Sequence, residues 1–148
     1  MAFIRKEGKT KIMYLPVAAS AGAVTNGALM AYSSGVLIPA TNTANNYDMV
    51  GVIRKAITTA DSDYAVARLV PIEVPVEKNV IWEAPVNVGT LATTSVGLYF
   101  DLDTADTGIG VDQSASTMDI VQCVKYISTT KGHFILNVGT DARLKANS

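Results

Sequence analysis

The residues best suited by type and spacing to do chemistry lie in one stretch, "DLDTADTGIGVD", which begins at Asp101. Asp101, Asp103 and Asp112 stand at the first, third and twelfth positions of a calcium loop, where carboxylates wrap a hard cation. The pattern breaks in its middle. Ala105 occupies a ligand position, Asp106 stands where the turn glycine belongs, and the last position is Asp rather than a bidentate Glu. A polar loop between strands is the simpler reading, and no metal is expected. Other chemistries lack their partner residues. Cys123 is the single cysteine and His133 the single histidine, which removes cysteine zinc sets, multi-histidine sites and intrachain disulfides. Serines abound, but only His133 could serve one as an imidazole base, and it sits in a strand-like run. No glycine-rich segment has the spacing and the lysine of a phosphate loop. The expectation is a chain with no catalytic residues and no cofactor.

The bulk properties agree with a non-enzymatic role. The chain has 148 residues, 49% of them hydrophobic, and a net charge of -1. That is enough for one domain, or two small lobes, with a real core. It is little charge to keep a free protein dispersed, so a place in an assembly is expected. The charge is also uneven. Arg5, Lys6, Lys9 and Lys11 crowd the first eleven residues, whereas the stretch from Ala84 to Val124 has no Lys or Arg and contains Asp101, Asp103, Asp106, Asp112 and Asp119. A basic arm on an acidic body is a docking pattern. Nucleic-acid binding would need basic residues interleaved with aromatics on one face, and only the arm is basic. "IMYLPVAASA" after the basic residues imitates a signal peptide, but it is short and broken by Pro16, so the start is expected to be retained. No membrane span is expected, because Pro, Ser, Thr, Asn and Gly interrupt the uncharged stretch 12–47.

Short runs of Val, Ile, Thr, Tyr and Ala between Gly, Asn, Ser and Pro predict strands and turns. Strands are expected near Lys11–Leu15, Ala28–Tyr32, Gly35–Ile38, Asp48–Lys55, Ala65–Val74, Val80–Trp82, Gly97–Leu102, Asp119–Ile127 and His133–Val138. "YSSGV" at Tyr32–Val36 reads as a tight hairpin turn. The one helical candidate is a short turn around Ser62–Ala65. "VTNGALMAYSSGVLI" from Val24 and "VNVGTLATTSVGLYF" from Val86 share Val, Gly, Leu and Gly at their first, fourth, sixth and twelfth positions. "YDMVGVI" from Tyr47 then resembles "MDIVQCV" from Met118, which pairs Asp48 with Asp119 and Val52 with Cys123. Two copies of one β unit are therefore expected at 24–76 and 86–138. Gly27, Gly35, Gly89 and Gly97 would form structural turns, with Gly35 and Gly97 equivalent. Residues 1–23 become an extended arm, 77–85 a linker and 139–148 a tail. The fold class that follows is all-β: a compact barrel- or sandwich-like body built from two related short-stranded units. Trp82, the single tryptophan, is expected either in the core or at a subunit interface. Cys123 is expected to be a small buried hydrophobe.

This order of segments resembles the small capsid decoration, or cement, proteins of tailed bacteriophages. It is an apolar arm, "AGAVTNGALMAYSSGVLIPA", "MVGVI", "ARLVPIEV" and "GLYFDLDTADTG". Gly27, Tyr32, Gly35 and Val50-Gly51-Val52 fit the recurring motif once. Gly89, Gly97, Tyr99 and Asp101 fit it a second time, with Gln122-Cys123 departing from Gly-Val. The likeness spans most of residues 15–138. It implies a structural virion protein, made in the host cytoplasm and placed on the outer capsid surface. Its partners would be the major capsid protein and its own copies, as a trimer. The arm residues Phe3, Ile4, Arg5, Lys6, Lys9, Lys11, Met13 and Tyr14 would touch the capsid. The alternatives are a phage tail or head-fibre component and a carbohydrate-binding β module. The last would need exposed aromatics, and only Trp82 and six tyrosines are on offer.

Overall fold

The computed structural model describes residues 3–20, 22–40, 49–77, 79–102, 109–116 and 118–136. The fold is all-β. The strands are β1 (Ile4–Glu7), β2 (Thr10–Val17), β3 (Leu29–Ser33), β4 (Val36–Pro39), β5 (Met49–Ile53), β6 (Arg68–Pro75), β7 (Ile81–Val88), β8 (Tyr99–Leu102), β9 (Val111–Asp112), β10 (Val121–Ser128) and β11 (Lys131–Leu136). The single 3-10 turn among the described residues is Thr93–Ser95. The Ser62–Ala65 segment is a turn rather than a helix.

Two lobes share one strand order. The first is the sheet β2-β6-β5-β3-β4, and the second is β7-β11-β10-β8-β9 with β1 added outside β7. Read in each lobe's own numbering, both run first, fifth, fourth, second, third. The second lobe closes into a five-stranded barrel, because β9 pairs parallel with the far half of β7 through Val86↔Val111. In the first lobe β2 and β4 approach one another in the equivalent way.

Hydrogen bonds set the correspondence between lobes. Gly27 N donates to Ile53 O at 2.9 Å and Ile53 N to Ala28 O at 3.0 Å; Gly97 N donates to Cys123 O at 2.8 Å and Cys123 N to Leu98 O at 3.0 Å. Gly97 therefore corresponds to Gly27 and not to Gly35, and Cys123 to Ile53 and not to Val52. The expected matching had slipped by one residue at the Cys123 strand, which would turn every side chain to the opposite face. The earlier strands match as well. Pro16 of β2 faces Leu69 of β6, and Pro85 of β7 faces Lys131 of β11. Ile12, Pro16 and Val17 thus recur as Ile81, Pro85 and Val86, and the left-handed Ser20 (φ 53°) recurs as Gly89 (φ 79°). The repeat begins at β2, so the first unit reaches back beyond residue 24. The expected linker 77–85 contains the first half of β7. The four glycines expected at turns all have positive φ. Gly35 follows Ser34 (φ 52°) in a two-residue hairpin turn between β3 and β4, the geometry that "YSSGV" predicts.

The same pairing corrects the arm. Residues 4–17 are not an extension outside the body. β2 pairs with β6 along its whole length, from Thr10↔Pro75 to Val17↔Arg68. β1 crosses to the second lobe and pairs with β7 through Ile4↔Glu83 and Arg5↔Trp82. The strand expected at Lys11–Leu15 is present within β2, but the docking of this charged segment was not legible, because its partners lie about seventy residues away in sequence.

Two apolar clusters fill the molecule. One lies inside the first lobe, with Leu15, Val17, Met30, Leu37, Val50, Ile53, Val70, Ile72 and Val74. The other fills the second barrel with Trp82, Phe100, Leu102, Val121, Cys123 and Phe134, and it extends to Phe3, Leu29, Ala31, Met49 and Val52. β3 and β5 are therefore buried on both faces, one toward each lobe, and all five residues of β5 are buried. A strand of this kind reads as a continuous apolar run, as "MVGVI" does. Gly51 is required within it. A Cβ there would lie 2.3 Å from the backbone oxygen of Glu73, a glycine marking close backbone approach.

Gly51→Ala is expected to destabilise the chain by more than about 2 kcal/mol, because backbone must move to admit the methyl group. Denaturant unfolding measures this, and Gly35→Ala, which has open space around it, is expected to cost less. Deleting residues 2–7 removes Phe3 and β1, uncovers the edge of β7, and should lower the melting temperature.

Candidate interaction surfaces

β1 is held to the body by one buried carboxylate. Glu73 of β6 accepts hydrogen bonds from Arg5 Nε at 2.6 Å, Thr10 Oγ1 at 2.6 Å and Arg54 Nε at 2.6 Å. Its side chain is 9% exposed, against 45% for Arg5 and 26% for Arg54. Burial by itself would raise the Glu73 pKa, but the Thr10, Arg54 and Arg5 hydrogen bonds outweigh it and hold the carboxyl below its ordinary 4.5. Arg54 also donates from Nη1 to Phe3 O at 3.2 Å, and its guanidinium lies 5.8 Å from the Trp82 ring centroid. Phe3 N in turn donates to Gly27 O. One carboxylate thus ties β2 and β6 of the first lobe to β1 and Trp82 of the second.

This arrangement takes several candidate contact residues off the surface. Phe3 and Trp82 are fully buried, so neither can face a partner. Trp82 is a core residue, and the subunit-interface alternative is set aside. Arg5 is committed to Glu73. Ile4 is half-buried on β1, and Met13 packs against the first-lobe core. Lys6 reaches Glu83 at 3.9 Å. Lys9, Lys11 and Tyr14 remain exposed.

Equivalent outward positions on the two lobes carry different chemistry. On the first lobe Tyr14 lies opposite Pro71, and Pro16 opposite Leu69; Tyr14 is 63% and Leu69 60% exposed. A groove lined by Pro16, Val17, Ala18, Val36, Ala67, Arg68 and Leu69 adjoins them. On the second lobe the counterparts of Tyr14, Leu69 and Pro71 are Glu83, Lys131 and His133. There Glu83 lies 3.3 Å from His133 Nε2 and 3.9 Å from both Lys6 and Lys131. An apolar face on one lobe and an ionic one on the other distinguish otherwise matching surfaces. Leu69 went unnoticed in sequence reasoning, although "RLVPIEV" marks it: Val70, Ile72 and Val74 face the core, and Leu69, out of phase with them, lies on the outer face, which here is open to solvent.

The residues with chemical potential are in structural use. Asp101 Oδ1 accepts from Met118 N at 2.7 Å and Asp119 N at 3.0 Å, and Asp112 accepts from Ser114 N and Oγ. Both carboxylates cap loops. Asp103, Ala105 and Asp106 lie outside the described residues. Among those described, no group of three or more His, Cys, Asp or Glu side chains is arranged to hold a metal, and no helix is long and apolar enough to cross a membrane. Cys123 is fully buried, and burial pushes its thiol pKa up. Comparison with family models, with curated proteins and with solved structures returns no significant match.

Folding lowers the Glu73 pKa, so its stabilising contribution is complete above the unfolded-chain value and is lost as pH falls through the depressed native value. Melting temperature should therefore decline as pH falls below about 4.5. Glu73→Gln should flatten that decline and cost about 1–3 kcal/mol near neutrality, the worth of charge-assisted hydrogen bonds. Thermal unfolding of both proteins from acid to neutral pH checks this.

Proposed function

We propose that this chain is a structural virion protein that decorates the outer surface of a tailed-phage head, binding the major capsid protein and its own copies. The reading rests on the sequence resemblance and is supported by the outward apolar face of Tyr14, Leu69 and Pro71, of which Tyr14 and Leu69 are exposed. That single observation carries the partner-binding part. The related lobe places Glu83, Lys131 and His133 at these three positions.

The mechanism this geometry offers is passive. A closed barrel packed against a second five-stranded sheet makes a body with shared core, so little conformational entropy is lost on docking. The apolar face supplies buried area at roughly 25 cal/mol per Å² before ordering costs. The exposed Lys9 and Lys11 on the same lobe steer approach to an acidic surface more than they set affinity. A cement protein needs no more chemistry than this. It bridges capsid subunits and raises the work of separating them. The contact surface differs from the arm proposed on sequence grounds, since Phe3 and Arg5 are committed within the chain.

Binding to purified empty heads tests the reading. A Tyr14→Asp/Leu69→Asp double variant should stay folded and lose at least about tenfold in affinity, the equivalent of about 1.4 kcal/mol. The parent's binding should weaken modestly with salt. Parent and variant binding equally well, or the parent binding glycans and not heads, would remove the proposal.

A further inference from the structure

β1 stands apart from the duplicated units. It is joined to β2 through Gly8 (φ 95°) and ends the second lobe's sheet, where its outer edge pairs with no strand among the described residues. Its apolar anchorage is small. Phe3 is fully buried and Ile4 half-buried, whereas Arg5, Lys6 and Glu7 are exposed. The rest of its hold is polar: Arg5 on Glu73, Lys6 on Glu83 at 3.9 Å, and Arg54 Nη1 on Phe3 O at 3.2 Å. The lobes are joined without it, because Leu29, Ala31, Met49 and Val52 of the first lobe share the apolar cluster of the second. A segment with few buried apolar contacts opens at a lower free energy than the core beneath it.

What β1 covers is Trp82. Arg5 is the partner of Trp82 in the β1–β7 ladder, and Phe3 belongs to the same apolar cluster. We propose that β1 and Phe3 form an acid-released latch, which opens as a unit while both lobes stay folded and uncovers Trp82 and the edge of β7. Glu73 is the trigger. It faces Arg5 from β1, Thr10 from β2 and Arg54 from the segment after β5. Arg5 is one of the donors that keep Glu73 ionised, so protonating Glu73 and releasing Arg5 promote each other. The latch is therefore closed near neutrality and opens as pH falls through the depressed native value of Glu73. On the other face of β1, Glu83 meets Lys6 from β1 and Lys131 and His133 from β11. Lys6 is 42% exposed at that contact, and an exposed ion pair of this kind holds a strand weakly. The latch belongs to the single chain and operates whether or not the chain binds capsids.

Fluorescence of Trp82, the single tryptophan, reads the latch in the full chain. As pH falls below about 4.5, the ordinary value for a glutamate, emission should shift to the red and acrylamide quenching should rise while far-UV circular dichroism stays native. Hydrogen exchange over the same range should show residues 3–7 losing protection and β5 and β10 keeping it. Arg5→Met should move the fluorescence transition to higher pH, and Glu83→Gln should move it less. Deleting residues 2–7 should give the red-shifted emission at neutral pH on a folded chain, with no further shift until circular dichroism is lost. The proposal is overturned by emission that changes only together with circular dichroism, or by a transition that Arg5→Met leaves in place. A Glu83→Gln effect larger than that of Arg5→Met, or a deletion variant that does not fold, overturns it as well.

Discussion

The Glu73 carboxylate is the interaction around which the molecule is arranged. It is nearly buried, yet it stays charged because three donors from three different segments reach it. Removing any one donor leaves a buried anion short of compensation, and that penalty exceeds the modest net gain of an ordinary hydrogen bond. β1 is four residues long and strongly charged, with little of its own to hold it on an edge. Arg5 and the insertion of Phe3 give it an address. Arg54 then carries the same anion's influence across to the Trp82 ring. A polar network that is fully satisfied specifies one arrangement of the segments it joins.

Around that node the duplication explains both the economy of the fold and its asymmetry. A five-stranded unit of this length has one apolar face too many to be stable alone. Stacking two units covers that face once, on β3 and β5. Where the lobes differ, the difference follows use. Gly51 admits the backbone of Glu73, whereas its counterpart in the second lobe is Val121. Ala31, packed in the seam, is replaced by Asp101, which caps the loop at Met118 and Asp119. The outward residues of β2 and β6 are apolar in the first lobe and form an ion cluster around Glu83 in the second. Repeats diverge at positions where each copy meets a different neighbour.

Among the described residues, several carboxylates hold segments together: Glu73 joins β1, β2 and the Arg54 segment, Asp101 and Asp112 cap loops, and Asp61 with Asp63 holds Arg68.

Much of the fold was legible in the sequence, because its causes are local. Alternating β-branched runs between glycines and prolines made the chain all-β, and Ser34-Gly35 announced its hairpin through a backbone geometry those residues permit. Recurring letters also suggested two related units, but not their register: the glycines that seemed to match, Gly27 with Gly89 and Gly35 with Gly97, are not equivalent, and Gly97 corresponds to Gly27. Matching Val52 to Cys123 maximised likeness of letters, whereas the hydrogen bonds from Gly27 to Ile53 and from Gly97 to Cys123 decided the true pairing. The fate of residues 3–17 also lay beyond local pattern. A strand at Lys11–Leu15 was readable, but charge made the segment look like an arm for another molecule, whereas partners far along the same chain, Glu73, Gly27 and Trp82, hold it in the body. Which apolar residues stay exposed was decided at the same level. Leu29 and Tyr99 occupy one position of one pattern, and tertiary packing covers the first and leaves the second open, because one chain contains only a single seam.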